Sequence, residues 1–401
     1  MNLNFSYRKT MDEITNPFTP GAGSPPPALV GRDNIIYEAN TLIDRTLAGR
    51  SAQSILLTGL RGVGKTVLLN KVRHMAIDKQ HISIIQLEIE ENKTFAELLV
   101  PELLKTLYEL NMLTGAGVAV KRGLMALRNF IKGIKVNVAN ISIDLAPLQG
   151  VADSGDLNRD LCDLMLTVAA AAKAQQRILL LLIDEMQLMA KDELNALILT
   201  MHKAQQIIAP IALVGAGLPT LPMNTGKAKS YAERLFLYPD IGKLNMQEAQ
   251  DAISEPAERA GASFTKEALE TIFNETQGYP YFLQTWAYNI WNTSPHPKIT
   301  LDDVMRAKPR IQAGLDSSFF RVRYDRLTPR EKIFMHAMAL CDSQECTLSE
   351  VAKQMQSNSS SISRIREQLV RKGMLFSPRH GCIRYTVPLF KEFLLRVQNR
   401  S

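Results

Sequence analysis

The stretch SILLTGLRGVGKTVLL, Ser54 to Leu69, decides the fold. Its aliphatic opening reads as a strand, a glycine-punctuated loop follows, and a helical pattern starts at the lysine. From Gly59 to Thr66 it fits GxxxxGK[ST], a spacing suited to cradling phosphate. Gly59, Gly62 and Gly64 permit backbone angles that other residues resist. Successive N–H groups can then turn inward around an anion, while the helix N-terminus adds partial positive charge. In such a loop Lys65 reaches the β and γ phosphates and Thr66 ligates Mg²⁺, with Arg61, Val63 and Val67 counted in the same cradle. The flanking strand and helix argue against a chance match. ATP with Mg²⁺ is the expected cofactor pair.

Working outward, RILLLLIDEMQ, Arg177 to Gln187, reads as a buried parallel strand that ends in two acids. Asp184 falls where a carboxylate is needed to hold Mg²⁺, and Glu185 where one could deprotonate the attacking water. Acids after a buried strand can also be plain solvent-facing ends; the phosphate loop upstream favours the catalytic reading. HISIIQLEIE (His81 to Glu90) and PIALVGAG (Pro210 to Gly217) read as further strands, and FLYPDIGKL as a last short one. Helices are expected from about Val30 to Gly49, Thr94 to Leu110 and Asp192 to Ile208. The surplus between Asn111 and Asp156 holds a basic segment with Lys121, Arg122, Arg128, Lys132 and Lys135, then a hairpin-like pair, IKVNVA and ISIDLA, around Asn140. It suits either a nucleic-acid or partner contact or a small structural cap.

Composition bounds the rest. The 401 residues, 46% apolar and 22% charged, suit two or three globular domains. Cys162, Cys341, Cys346 and Cys382 show no zinc spacing and read as reduced thiols of a cytoplasmic protein. The longest aliphatic run, Ile178 to Ile183, is too short for a bilayer, so no membrane anchoring is implied. Residues 1 to 30 contain the Pro/Gly run NPFTPGAGSPPPALV, a loop or an extended arm.

From Asn245 with Glu248, at capping-box spacing, a helical run extends to about Gly314 and includes GYPYFLQ at a helix start. Thr328 with Glu331 and Thr347 with Glu350 open two more helices, and Asn358 to Lys372 forms a third. Ile362, Ile365 and Leu369 point inward from that third helix, leaving Ser360, Arg364, Gln368 and Arg371 outward. GMLFSPRHGCIRYTV then reads as two short strands around Arg379 to Gly381, with a closing helix from Pro388. This is a winged helix-turn-helix, with wing residues Arg379, His380 and Arg384 flanking the third helix. From Ser357 onward nine basic side chains face two acidic ones, a surplus equal to the net charge of +7 of the whole chain. Such a charge favours DNA over a purely protein-binding winged helix.

With these pieces placed, the chain resembles the AAA+ ATPases of the initiator and STAND-like type, in particular prokaryotic ATPases that append a winged helix. GLRGVGKT is similar to the family's Walker A and LLIDEMQ to its Walker B. NPFTPGAGSPPPALVGRD looks like the arm and short box, here with Gly31 and Arg32, that wrap the adenine. GYP is similar to the proline motif of the STAND lid, which implies nucleotide contact at Tyr279 and Pro280. YAERLF resembles the segment where initiator-type proteins place an arginine finger, so Arg234 would reach a neighbouring subunit's γ-phosphate. Two departures stand out. VGAG offers no Asn, Ser or Thr as a first sensor, and GYP stands where the second sensor's arginine would be. Each missing donor can cost roughly 3 kcal/mol, which implies slow turnover.

The resemblance implies an α/β P-loop NTPase with an AAA+ parallel-sheet core (31–242, insertion near 111–156). It adds an N-terminal arm over the adenine (1–30), an all-helical lid (243–319) and a C-terminal winged helix-turn-helix (320–401). The expected function is a slowly hydrolysing ATP switch that binds ATP or ADP between core and lid, assembles as a homo-oligomer and engages DNA. The alternative is a nucleotide-gated signalling or defence scaffold whose winged helix meets a protein partner. A small-molecule kinase is disfavoured because no acceptor pocket is evident.

Overall fold

Residues 11–21, 23–113, 117–135, 145, 148–341, 343, 345–379 and 381–398 are described by the computed structural model. By its contacts the chain divides into two units. One comprises Asp33–Gly59 and Lys65–Asp240; the other comprises Met1–Arg32, Leu60–Gly64 and Ile241–Ser401.

In the first, the elements run α1 (Asp33–Leu47), β1 (Ser54–Thr58), α2 (Lys65–Asp78), β2 (Ile82–Glu88), α3 (Phe95–Asn111), α4 (Gly117–Gly133), α5 (Leu157–Ala174), β3 (Ile178–Asp184), α6 (Lys191–Gln206), β4 (Ile211–Gly217), α7 (Leu221–Ala228), α8 (Ala232–Leu235) and β5 (Phe236–Leu237). The strands form one sheet in the order β2-β3-β4-β1-β5, and every pairing is parallel. β1, β3 and β4 are buried along their whole length. Helices over both faces leave no solvated side, hence the unbroken aliphatic runs. The edge strand β2 alternates towards its end, with exposed Gln86 and Glu88 following buried Ile85 and Leu87 in turn. Gly215 of β4 marks a close approach: a Cβ there would lie 2.2 Å from the Met186 sulfur.

α4 occupies part of the surplus between Asn111 and Asp156. Val120, Ala126, Leu127 and Phe130 are buried and join the core of α3 and α5, while Lys121, Arg122, Lys132 and Lys135 are exposed. The segment thus has both a structural face and a basic one. The hairpin expected around Asn140 falls outside the described residues.

In the second unit, Asn245 caps α9 (Met246–Arg259) through a full capping box with Glu248. β6 (Ser263–Phe264), α10 (Lys266–Thr276), α11 (Pro280–Thr293), β7 (Lys298–Ile299) and α12 (Leu301–Gly314) follow. β6 and β7 make a two-residue parallel pairing among the helices. The N-terminal arm is tied down here. Phe18 is 1% exposed and meets Phe264 and Trp291 edge-on, and the Asn16 amide donates to Tyr288 O and Asn292 Oδ1.

A π-helical turn, Leu315–Phe320, continues α12 into α13 (Arg321–Asp325). Then come α14 (Pro329–Ala339), β8 (Cys346–Thr347), α15 (Leu348–Gln354), α16 (Ser359–Arg371), β9 (Leu375–Phe376), β10 (Cys382–Tyr385) and α17 (Phe390–Gln398). The three strands form an antiparallel sheet in the order β8-β10-β9. Helix, strand, two helices and a two-stranded antiparallel pair thus precede the closing helix. One buried cluster runs from Phe18 through α9 to α12 and on to Phe393, and Arg396 grips Asp316 with both carboxylate oxygens engaged. Position 319/320 therefore lies inside a continuous helix and a shared core.

Candidate functional site

The loop between β1 and α2 is anchored at its base. Gly59 N–H donates to Gly217 O at the end of β4 (3.2 Å), and Thr58 N–H donates to Pro239 O (3.0 Å). The Lys65 ammonium donates to Gly59 O at 2.9 Å. Thr66, the second residue of α2, donates its hydroxyl to Asp184 Oδ2 at 2.6 Å. Asp184, 8% exposed, takes Glu185 N–H on its other oxygen at 2.8 Å. Two hard oxygen donors in contact suit Mg²⁺, whose remaining ligands would be phosphate and water.

Glu185 sits in the left-handed region (φ 54°, ψ 33°), a conformation that costs on the order of 1–3 kcal/mol when a side chain must occupy it. Its carboxylate accepts from the Gln187 amide, whose oxygen accepts Leu218 N–H at 3.0 Å. Gln187 thus ties the acid to the exit of β4, where the sequence offers no first-sensor residue. No sequence motif singles Gln187 out. Its own signal was its place in LLIDEMQ, but its partner follows from β3 and β4 being neighbours.

In the other unit, Gly62 takes φ +80° and its carbonyl accepts Tyr281 N–H at 3.2 Å, while Arg61 N–H donates to Thr386 O at 3.2 Å. Val63 is 1% exposed. Gly64 (φ +95°) meets nothing where a Cβ would point, so only its backbone angle demands glycine. Tyr279 is the N-cap of α11 and Pro280 its first residue; burial pushes the Tyr279 phenol up. Gly31 (φ +69°) lies against Glu248, whose carboxylate a Cβ would meet at 2.6 Å. Arg32 is buried and donates to Gly242 O at 2.6 Å. Val67 is half-buried on α2 in the sheet unit, where Arg234 is exposed on α8.

On α16, Ser360, Arg364, Gln368 and Arg371 are exposed, whereas Ile362 and Leu369 are buried and Ile365 half-buried. Of the wing residues, Arg379 and Arg384 both pair with Glu345, at 3.2 and 3.8 Å. His380 falls outside the described residues.

Residues 28–214 match the family described as the AAA ATPase domain, and residues 317–394 match a domain of unknown function (DUF8462). The comparison with curated proteins gave no match. Among solved structures, the chain is similar to the Walker-type ATPase Paby2304 of Pyrococcus abyssi at 14% identity, TM-score 0.56, over 92% of this chain and 96% of that one. It is also similar to the Orc1 protein of Aeropyrum pernix in complex with DNA, at 12% identity, TM-score 0.50, over 98% of each chain. Among the described residues no helix is long and apolar enough to cross a membrane. Residues 28–214 thus match the AAA ATPase domain, and the fold is that of the P-loop AAA+ structures to which the chain is similar.

Proposed function

We propose that the protein is an ATP-dependent switch of the cytoplasm that hydrolyses ATP slowly, assembles with copies of itself and engages DNA through its C-terminal winged helix. The observation that carries the nucleotide half is the hydrogen bond from Thr66 to Asp184, which joins the phosphate loop to the acidic end of β3. Lys65 leaves Gly59 O for the phosphates of ATP, Thr66 and Asp184 hold Mg²⁺, and Glu185, oriented by Gln187, accepts the proton of the attacking water. The metal would offset phosphate charge at that site. Gly31, Arg32, Tyr279 and Pro280 are proposed to close around the rest of the nucleotide, with the arm of residues 1–30 over the adenine. Arg234, exposed on its short helix, is proposed as the finger supplied to a neighbouring copy. ATP hydrolysis by wild type and Lys65→Ala tests this: wild type should turn over and the variant should not, and equal rates would sink the reading.

For the output, the exposed row of Ser360, Arg364, Gln368 and Arg371 on one face of α16 supports DNA. The Orc1 protein of Aeropyrum pernix, a solved structure of similar fold, is in complex with DNA. A second reading, the nucleotide-gated signalling or defence scaffold with a protein partner, is favoured by Glu345, which pairs with both wing arginines. Nucleotide-driven assembly without DNA affinity would decide for the scaffold.

A further inference from the structure

We propose that the outer face of α4 docks the protein peripherally on a membrane surface that carries anionic lipid. The inference goes beyond the nucleotide and DNA readings above and depends on neither.

Helical spacing sets the face. Val118, Lys121, Met125, Arg128 and Lys132 follow one another three or four residues apart, so they lie in one stripe, with Arg122 beside it. Lys121, Arg122 and Lys132 are exposed, as is Lys135 just past the helix end. From residue 117 to 135 the chain holds no Asp or Glu. The opposite side of α4 packs on α3 and α5, with Val120, Ala126, Leu127 and Phe130 in their core. That side is held closely. A Cβ at Gly123 would meet Leu107 Cδ2 at 2.5 Å, and the Asn129 amide donates to Leu148 O and Val151 O at 2.6 and 2.9 Å. The stripe is therefore presented to solvent on a firm mount.

Four exposed cations suit a polyanion, and their neighbours decide which. Among the described residues none of the four forms an ion pair, and the Asp163 carboxylate, which lines the same cavity as Arg122, pairs with Arg159 at 3.9 Å. Met112 at the end of α3 is 88% exposed, and Val118 in the first turn of α4 is 80% exposed. A phosphodiester backbone gives such aliphatic groups nothing. The stripe also has no aromatic, Ser, Thr, Asn or Gln side chain to stack on bases or bond with them. A bilayer surface takes both kinds of group: aliphatic tips enter the boundary between headgroups and acyl chains, while lysine and arginine heads lie at the lipid phosphates. Beside the stripe a cavity of about 810 Å³ is walled by Val118, Ala119, Val151 and Leu166, with Arg122 also on its lining. An apolar wall next to a guanidinium matches the acyl and phosphate ends of an anionic lipid.

The test is co-sedimentation of the full chain with vesicles of phosphatidylcholine alone, or of phosphatidylcholine mixed with phosphatidylglycerol. Wild type should bind the mixed vesicles and not the zwitterionic ones. Lys121→Glu with Lys132→Glu should weaken that binding roughly 100-fold; Lys121→Gln with Lys132→Gln, with a smaller loss, serves if the first pair does not fold. Met112→Ser with Val118→Ser should weaken it roughly tenfold and leave a remainder that added salt removes. Arg364→Ala, on α16, should leave vesicle binding within about twofold. Absence of binding to mixed vesicles, or unchanged binding of either the charge pair or the aliphatic pair, overturns the proposal. Charge variants that lose duplex DNA affinity while keeping vesicle binding would assign the stripe to nucleic acid instead.

Discussion

Lys65 rests against the carbonyl of Gly59, and Asp184 has an acceptor contact on each oxygen. Each of these groups has a hydrogen-bond partner, which leaves the loop polar but satisfied. Glu185 is different: its backbone is strained and its carboxylate is steered by Gln187. Glu185→Gln should therefore lower ATP hydrolysis by roughly 10²- to 10⁴-fold with ATP affinity little changed. Gln187→Ala should lower the rate by less and leave affinity alone. Single-turnover hydrolysis beside equilibrium binding checks both, and a parallel loss of affinity would argue that these side chains only hold the loop. Gly59, Lys65, Thr66 and Asp184 were legible because the local motif and a buried strand with an acidic end suffice to find them. Gln187 was not, since its contact with Leu218 exists only once β3 and β4 are adjacent in the sheet.

Helix starts were the most readable elements. Asn245 with Glu248, Thr328 with Glu331 and Thr347 with Glu350 each form a reciprocal capping box, an arrangement complete within four residues. α5 was left unread for a physical reason. It packs against both α4 and α6, so its buried residues, from Asp160 to Ala172, occupy more than one face and leave no clean stripe of period 3.6. α7 escaped because Pro222 and Gly226 dilute its helical signal. The capping box of α14 also supplies a pH prediction. Glu331 is 2% exposed and meets the Lys372 ammonium at 2.7 Å. Burial raises its carboxyl, but Lys372 and the Thr328 groups outweigh that, so the net shift is below 4.5. A lowered folded-state pKa gives stability that is present above the unfolded value and lost as pH falls through the folded one. Glu331→Gln should cost about 1–3 kcal/mol near neutral pH. Its melting temperature should then fall less steeply than that of wild type below about pH 4.5; parallel curves would contradict the pairing.

At the scale of the molecule, a parallel sheet with a phosphate loop followed by helices and a basic C-terminal module was readable from the order of patterns alone. The sharing of one core by Phe18, helices α9 to α12 and the C-terminal helices was not, because Phe18, Trp291, Phe320 and Phe393 meet only in three dimensions. That shared core suits transmission of a nucleotide-dependent change to α16. If α16 meets DNA, Arg364→Ala and Arg371→Ala should each weaken binding and reduce the dependence of log affinity on log salt by about one unit. Arg379→Ala should cost less, because Glu345 already offsets that charge. Nucleotide control of DNA binding is tested most directly by the affinity of the full chain for duplex DNA, measured by fluorescence anisotropy at fixed salt, with a slowly hydrolysed ATP analogue or with ADP. Affinity should differ about tenfold or more between the two states, a difference abolished by Lys65→Ala; equal affinity in both states would rule such control out.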